Sequence, residues 1–178
     1  MAKPLFFLHL GPEAADLDAM GEGLHLGGIT LPVADRDLLT HADIEIRRAH
    51  KRAGLKRTHV EGSWAKVCRA AFRSRTHCLV SMPGFFEATG DQAALALDGL
   101  HGMKVILVIT SGFEVEPPSA WTTRVKVDRT HVLPSHLTPE QLAAQVARIA
   151  LIEEQARLDK RLVKIGRRRK VVDRRLAA

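Results

Sequence analysis

The stretch LHLGPEAADLDAM, residues 8–20, has the outline of an anion site: an apolar run containing His9 closes at Gly11, and a helix-like segment follows. A helix that starts just beyond a strand offers free backbone N–H groups and the positive end of its dipole to a phosphate. Such a loop normally adds a lysine, whereas this one carries Glu13, Asp16 and Asp18. Two unit charges 4 Å apart interact by about 1 kcal/mol in water and about 4 kcal/mol near a protein surface, so these carboxylates oppose a bound anion. They suit the first turn of a helix instead. The residues predict the shape of a phosphate site without its chemistry.

The remaining chemistry-bearing residues are dispersed. None of the nine histidines shows HExxH or another tight ligand spacing, so no metal site is predicted. Cys68 and Cys78 make no CxxC, and a strand through His77 and Cys78 would point the two side chains to opposite faces. Ser119, after two prolines, reads as a helix N-cap before Trp121, with a phosphate contact as the alternative.

Residues 157–178 contain ten Lys/Arg against Asp159 and Asp173, a net +8, which leaves −1 for residues 1–156. The basic patch Arg167, Arg168, Arg169, Lys170, Arg174 and Arg175 could meet nucleic-acid phosphates or anionic lipid. It holds no aromatic residue for base stacking, so nucleic-acid binding there would be sequence-independent. A solvated basic tail is the alternative. Leu151, Leu158, Ile165 and Val172 recur every seven residues, with Gln155, Leu162, Arg169 and Leu176 between them. That imperfect heptad offers a route to a homo-oligomer, weakened at Gly166 by about 1 kcal/mol relative to alanine. The bland reading has Leu142, Val146 and Ile149 packing on a sheet and the rest of the helix projecting.

These residues need elements to position them. The 178 residues are 46% apolar and 26% charged, which suits one soluble globular core. Apolar runs at 5–10, 77–82 and 104–110 read as buried strands, with shorter strands near 29–31 and 129–133. Helices are expected at 13–20, stopped by Gly21 and Gly23, at 36–52, at 63–73 with Ser63 as N-cap, and at 89–101. Thr138 and Pro139 open a long final helix. Alternation of strands and helices predicts an α/β fold, a three-layer arrangement with a mainly parallel sheet flanked by helices. We expect an α/β domain over 1–137 and a long basic helix over 138–178. Ligands of such sheets bind beyond the carboxyl ends of the strands, which gathers the segments 11–18, 82–86 and 111–119. No run approaches the roughly 20 apolar residues of a membrane span, no export signal is read at the N-terminus, and reduced cysteines fit a cytoplasmic protein.

In their order along the chain these segments resemble the P-loop sulfotransferase superfamily, in particular actinobacterial sulfotransferase-like proteins. His9 and Gly11 match the opening HIGxPKTGTT, and GGITLP (27–32) matches a G-[VI]-x-x-P strand. LVSMPGFF (79–86), DQAALALDGL (91–100), KVILVIT (104–110) and Pro118-Ser119-Ala120-Trp121 follow in the family's order, over roughly residues 4–121. The resemblance implies a P-loop fold and a site for the sulfuryl donor PAPS (3′-phosphoadenosine-5′-phosphosulfate), with His9 as the one family-matched acid–base candidate and Gly11 and Ser119 as donor contacts. It also marks departures. The family's loop lysine falls on Ala14, its loop glycine on Asp16, its last threonine on Asp18, its 3′-phosphate arginine near Gly112, and a histidine near Met82. The expectation is a degenerate sulfotransferase-like protein acting as a binding or scaffold domain, with no cofactor. The alternatives are an active sulfotransferase that binds PAPS in an atypical site, or a protein acting through the basic helix on an anionic partner.

Overall fold

The computed structural model describes residues 3–12, 15–112 and 116–176, with side chains as far as Arg169. The described residues form one five-stranded sheet, parallel throughout: β1 (Leu5–Leu10), β2 (Ile29–Thr30), β3 (His77–Ser81), β4 (Lys104–Ser111) and β5 (Thr130–Pro134), in the order β2-β3-β1-β4-β5. β1 lies at the centre and is buried along its whole length, which is why it reads as a continuous apolar run.

Strand parity divides the core in two. Leu5, Phe7, Leu79, Ile106 and Val108 point to the face covered by α1 (Leu17–Leu26) and the first half of α7 (Pro139–Leu176). Phe6, Leu8, Leu10, Val80, Leu107 and Ile109 point to the other face. There they meet α2 (Arg36–Ile46), α4 (Ser63–Ser74), α5 (Gly90–Asp98) and the short α6 (Ser119–Thr122). On that second face Phe85 stacks on Trp121 at 5.5 Å and meets Trp64 edge-on at 5.4 Å. Trp121 Nε1–H donates to the Phe85 carbonyl (2.7 Å), which pins the 3₁₀ turn Pro83–Glu87 that follows β3. Aromatic burial with the polar N–H satisfied is the stable arrangement for a tryptophan.

Four local expectations are corrected. α1 does not stop at Gly21 and Gly23 but runs to Leu26. Gly23 stays helical because it faces α7: a Cβ there would lie 2.8 Å from the Ala143 Cβ. α2 ends at Ile46, short of residue 52, because Arg48 turns into the left-handed region (φ 55°); a further short helix, α3 (Arg57–Val60), sits in what reads as loop. Ser63 is not the cap of α4. The N-cap is Gly62, and the Glu45 carboxylate accepts from the Gly62 and Trp64 amides, both at 2.7 Å.

α7 begins as expected, with the Thr138 hydroxyl accepting from the Gln141 amide (3.3 Å) and Gln141 Oε1 accepting from the Thr138 amide (3.0 Å). Leu142, Val146 and Ile149 are buried on the sheet, so the start of this helix belongs to the core of the α/β unit. The helix stays tied to it through the Lys104–Glu153 ion pair and a hydrogen bond from Arg157 to the Lys3 carbonyl. From Leu158 to Arg169 every side chain is exposed.

Candidate functional site at the carboxyl ends of the strands

His9, Ser81 and Thr110 share the parity that faces α1 and α7, and they meet at the carboxyl ends of β1, β3 and β4. His9 pairs in register with Ser81, and Thr110 lies one pleat beyond the Val108 that pairs with His9. His9 Nδ1 is 2.8 Å from Ser81 Oγ, and His9 Nε2 is 3.0 Å from Thr110 Oγ1. The Ala15 amide donates to Ser81 Oγ (3.1 Å), and Thr110 Oγ1 lies 3.5 Å from the Leu10 carbonyl.

One tautomer satisfies all of these groups. With the proton on Nε2, donation runs from the Ala15 amide to Ser81, from Ser81 O–H to Nδ1, from Nε2–H to Thr110, and from Thr110 O–H to the Leu10 carbonyl. With the proton on Nδ1, Ser81 would accept twice and its own O–H would lack an acceptor. His9 is 2% exposed, and burial pushes its pKa down to about 4, so the ring is neutral near pH 7. In this arrangement Nδ1 already accepts from Ser81, and no ring lone pair is left for a substrate hydroxyl.

Gly11 follows directly. A Cβ at this position would lie 2.2 Å from Thr110 Oγ1, so glycine lets the backbone pass the Thr110 hydroxyl. Beyond it, two amides at the start of α1 are engaged from within the chain. Ala15 N–H goes to Ser81, and the Asp16 carboxylate, as N-cap, accepts from Ala19 N–H at 3.3 Å. Glu13 and Ala14 lie outside the described residues.

On the other side of this loop a cavity of about 520 Å³ opens between α1, α2 and the turn after β3, lined by Ser81, Met82, Leu39 and four charged residues. The charges cancel in pairs. Arg36 contacts Asp18 at 2.8 Å and Asp16 at 4.0 Å. Arg47 grips Asp43 with Nε and Nη2, the closest contact being 2.6 Å, and reaches Glu87 at 3.2 Å. Burial raises the Asp43 pKa, against the pull of Arg47. Both arginines of the cavity are thus neutralised by carboxylates of the chain itself.

The other sequence candidates lie apart. Ser119 is exposed at the start of α6, lines neither the cavity above nor the smaller one beside His9 and Thr110, and is not the cap, which is Pro118. Gly112 follows β4. Arg167, Arg168 and Arg169 are exposed on the projecting part of α7; the side chains of Lys170, Arg174 and Arg175 lie outside the described residues. Both thiols are buried, and burial pushes Cys68 up to about 12 and raises Cys78, so neither is a ready nucleophile. Among the described residues no three His, Cys, Asp or Glu side chains converge as metal ligands. Among the described residues no helix is long and apolar enough to cross a membrane.

Sequence reading missed Ser81, Thr110 and the Asp43–Arg47 pair. A signal for the first two exists: each is a polar residue near the carboxyl end of an otherwise apolar strand. Fold and site define an all-parallel α/β protein with a hydroxyl–imidazole–hydroxyl tie at its centre. Comparison with family models, curated proteins and solved structures finds no match to this chain.

Proposed function

We propose that this chain is a P-loop-sulfotransferase-like domain that has lost donor binding and works as a binding or scaffold domain. The observation that carries this reading is the occupation of the loop after β1. The Ala15 and Ala19 amides are taken by the Ser81 hydroxyl and the Asp16 carboxylate. A helix N-terminus holds phosphate through free amides and positive potential, and here two of the amides are engaged and the Asp16 carboxylate stands among them. PAPS does not fit the residues present. Arg36, the cation beside the loop, is paired with Asp18, and Ser119 stands exposed at the start of α6 and lines neither cavity at the loop. His9, which the resemblance offers as acid–base residue, is neutral and fully hydrogen-bonded, which supports a structural role. Purified protein is expected to transfer no labelled sulfate from PAPS to phenolic or sugar hydroxyls; transfer above the no-enzyme control would overturn the reading.

A scaffold role has a physical carrier in α7. Leu158, Leu162 and Ile165 are 48%, 65% and 60% exposed, at the seven-residue and alternating positions of the seam. This favours assembly through the helix, as a homo-oligomer. Sedimentation of the full chain at micromolar concentration is expected to show a species heavier than 19.6 kDa that Leu158→Glu/Leu162→Glu returns to monomer. A monomer at that concentration removes the self-assembly form of the scaffold reading.

A further inference from the structure

The −1 of residues 1–156 conceals a strong segregation of charge. Residues 47–75 carry ten Lys/Arg and a single acid, Glu61, a net +9. Arg48, Lys51, Arg52, Lys56, Arg57, Lys66, Arg69, Arg73 and Arg75 are all exposed. Among the described residues only Arg57 of these makes an ion pair, with Glu61 at 3.7 Å. This basic segment is distinct from the C-terminal one and lies in the helical layer opposite α1 and α7.

The fold aligns three of these cations on one helix face and fixes the turn that precedes it. On α4, Lys66, Arg69 and Arg73 stand at i, i+3 and i+7, one stripe of the helix, whose opposite face buries Trp64, Val67, Cys68 and Ala71. The turn before α3 is closed by the Leu55 amide to the His50 carbonyl (2.8 Å) and by Ala53 to Ala49 (3.0 Å). The Glu45 carboxylate joins the end of α2 to the start of α4. The acids beside residues 48–75 are few: Glu45 is used as that clamp, Glu61 pairs with Arg57, Asp43 and Glu87 are held by Arg47, and Asp91 and Asp98 of α5 border the grooves beside Arg48 and Arg69; Asp35 and Asp37 lie at the far end of α2.

We infer that the exposed basic face of α4, with the cations of residues 48–57 before it, is a binding surface for the phosphate backbone of a nucleic-acid duplex, read without regard to sequence. Rows of exposed Lys and Arg on rigid backbone are what phosphate neutralisation with counterion release requires. The composition favours a duplex: Phe72 is the one exposed aromatic ring beside the stripe, too few to stack a run of unpaired bases, and the chain has no Tyr. It also argues against a bilayer, since Phe72, 42% exposed, is the one large apolar side chain of α4 available to enter it. The inference is independent of the donor-loop reading.

The test is fluorescence anisotropy of the full chain with labelled 20-base-pair DNA and RNA duplexes of unrelated sequence, between 50 and 200 mM salt, beside vesicles containing phosphatidylserine. The variants are Lys66→Gln/Arg69→Gln/Arg73→Gln and, for the tail, Lys164→Gln/Arg167→Gln/Arg168→Gln; all six positions are exposed, and unchanged melting verifies that both variants fold. Wild type is expected to bind duplexes of different sequence equally. The α4 variant is expected to weaken binding by about tenfold or more and to reduce the slope of log K against log salt by about 2–3, close to 0.9 per lost phosphate contact. The inference is overturned if duplexes do not bind at 50 mM salt, if vesicles bind and duplexes do not, or if the α4 variant binds like wild type.

Discussion

His9 Nε2 lies 3.0 Å from Thr110 Oγ1, and through this contact and the one to Ser81 a single imidazole ties together the carboxyl ends of three adjacent strands. The tie is buried, so each of its members depends on the others for hydrogen bonding. Thr110→Val keeps the shape but leaves Nε2–H without an acceptor. A buried unsatisfied polar group costs about 1–3 kcal/mol, and a loss of that size is expected in urea unfolding. Thr110→Ser keeps the hydroxyl and should recover most of it. Equal stability of wild type and Thr110→Val would show that the tie is not made.

The same histidine gives stability a pH dependence of known sign. Its folded pKa of about 4 lies below the ordinary 6.5, so between these values the unfolded chain binds the proton and the folded chain does not. Its contribution is therefore complete above pH 6.5 and is lost as pH falls toward 4. At 1.36 kcal/mol per pKa unit, the loss is about 3 kcal/mol across that window. His77 and His131, whose pKa values burial also lowers, act in the same direction. Urea midpoints measured from pH 7.5 to 4.5 should fall, and His9→Gln should flatten most of the slope.

Two glycines of one helix should respond oppositely to alanine. Gly21 is exposed with nothing within 4 Å of its absent Cβ, so Gly21→Ala should stabilise α1 by about 0.5–1 kcal/mol. Gly23 lies against α7, where a Cβ would come within 2.8 Å of the Ala143 Cβ, so Gly23→Ala should destabilise by about 1–3 kcal/mol. Thermal melts of the two variants test whether α7 packs on α1 as described.

How far the sequence reveals this depends on the range of the interactions. β1 and β4 are legible because strands buried on both faces are nearly continuous apolar runs, and α7 because Thr138, Pro139 and Gln141 form a local cap. The end of α1 is not legible: Gly21 and Gly23 look alike as helix stops, and only the approach of Ala143, 120 residues on, gives Gly23 its reason. The cap of α4 comes from Glu45, in another helix, so Ser63 takes its place in a local reading. At the site, His9 and Gly11 stand out through family resemblance. Their partners Ser81 and Thr110 are 72 and 101 residues from His9, brought close only by the parallel register. The basic layer of residues 47–75 could be counted directly, but the acidic segments on either side cancel it in any sum over the domain.

The central claim is that the loop after β1 has the form of a phosphate site and no capacity to bind a donor. The direct measurement is calorimetric titration of PAPS, or of its product adenosine 3′,5′-bisphosphate, into the purified chain at low salt. The account expects no saturable heat up to millimolar nucleotide, because the Ala15 and Ala19 amides and Arg36 are already engaged by Ser81, Asp16 and Asp18, and the loop adds carboxylates and no free cation. Binding at micromolar nucleotide would contradict it, since the loop would then have to release those contacts for the phosphate.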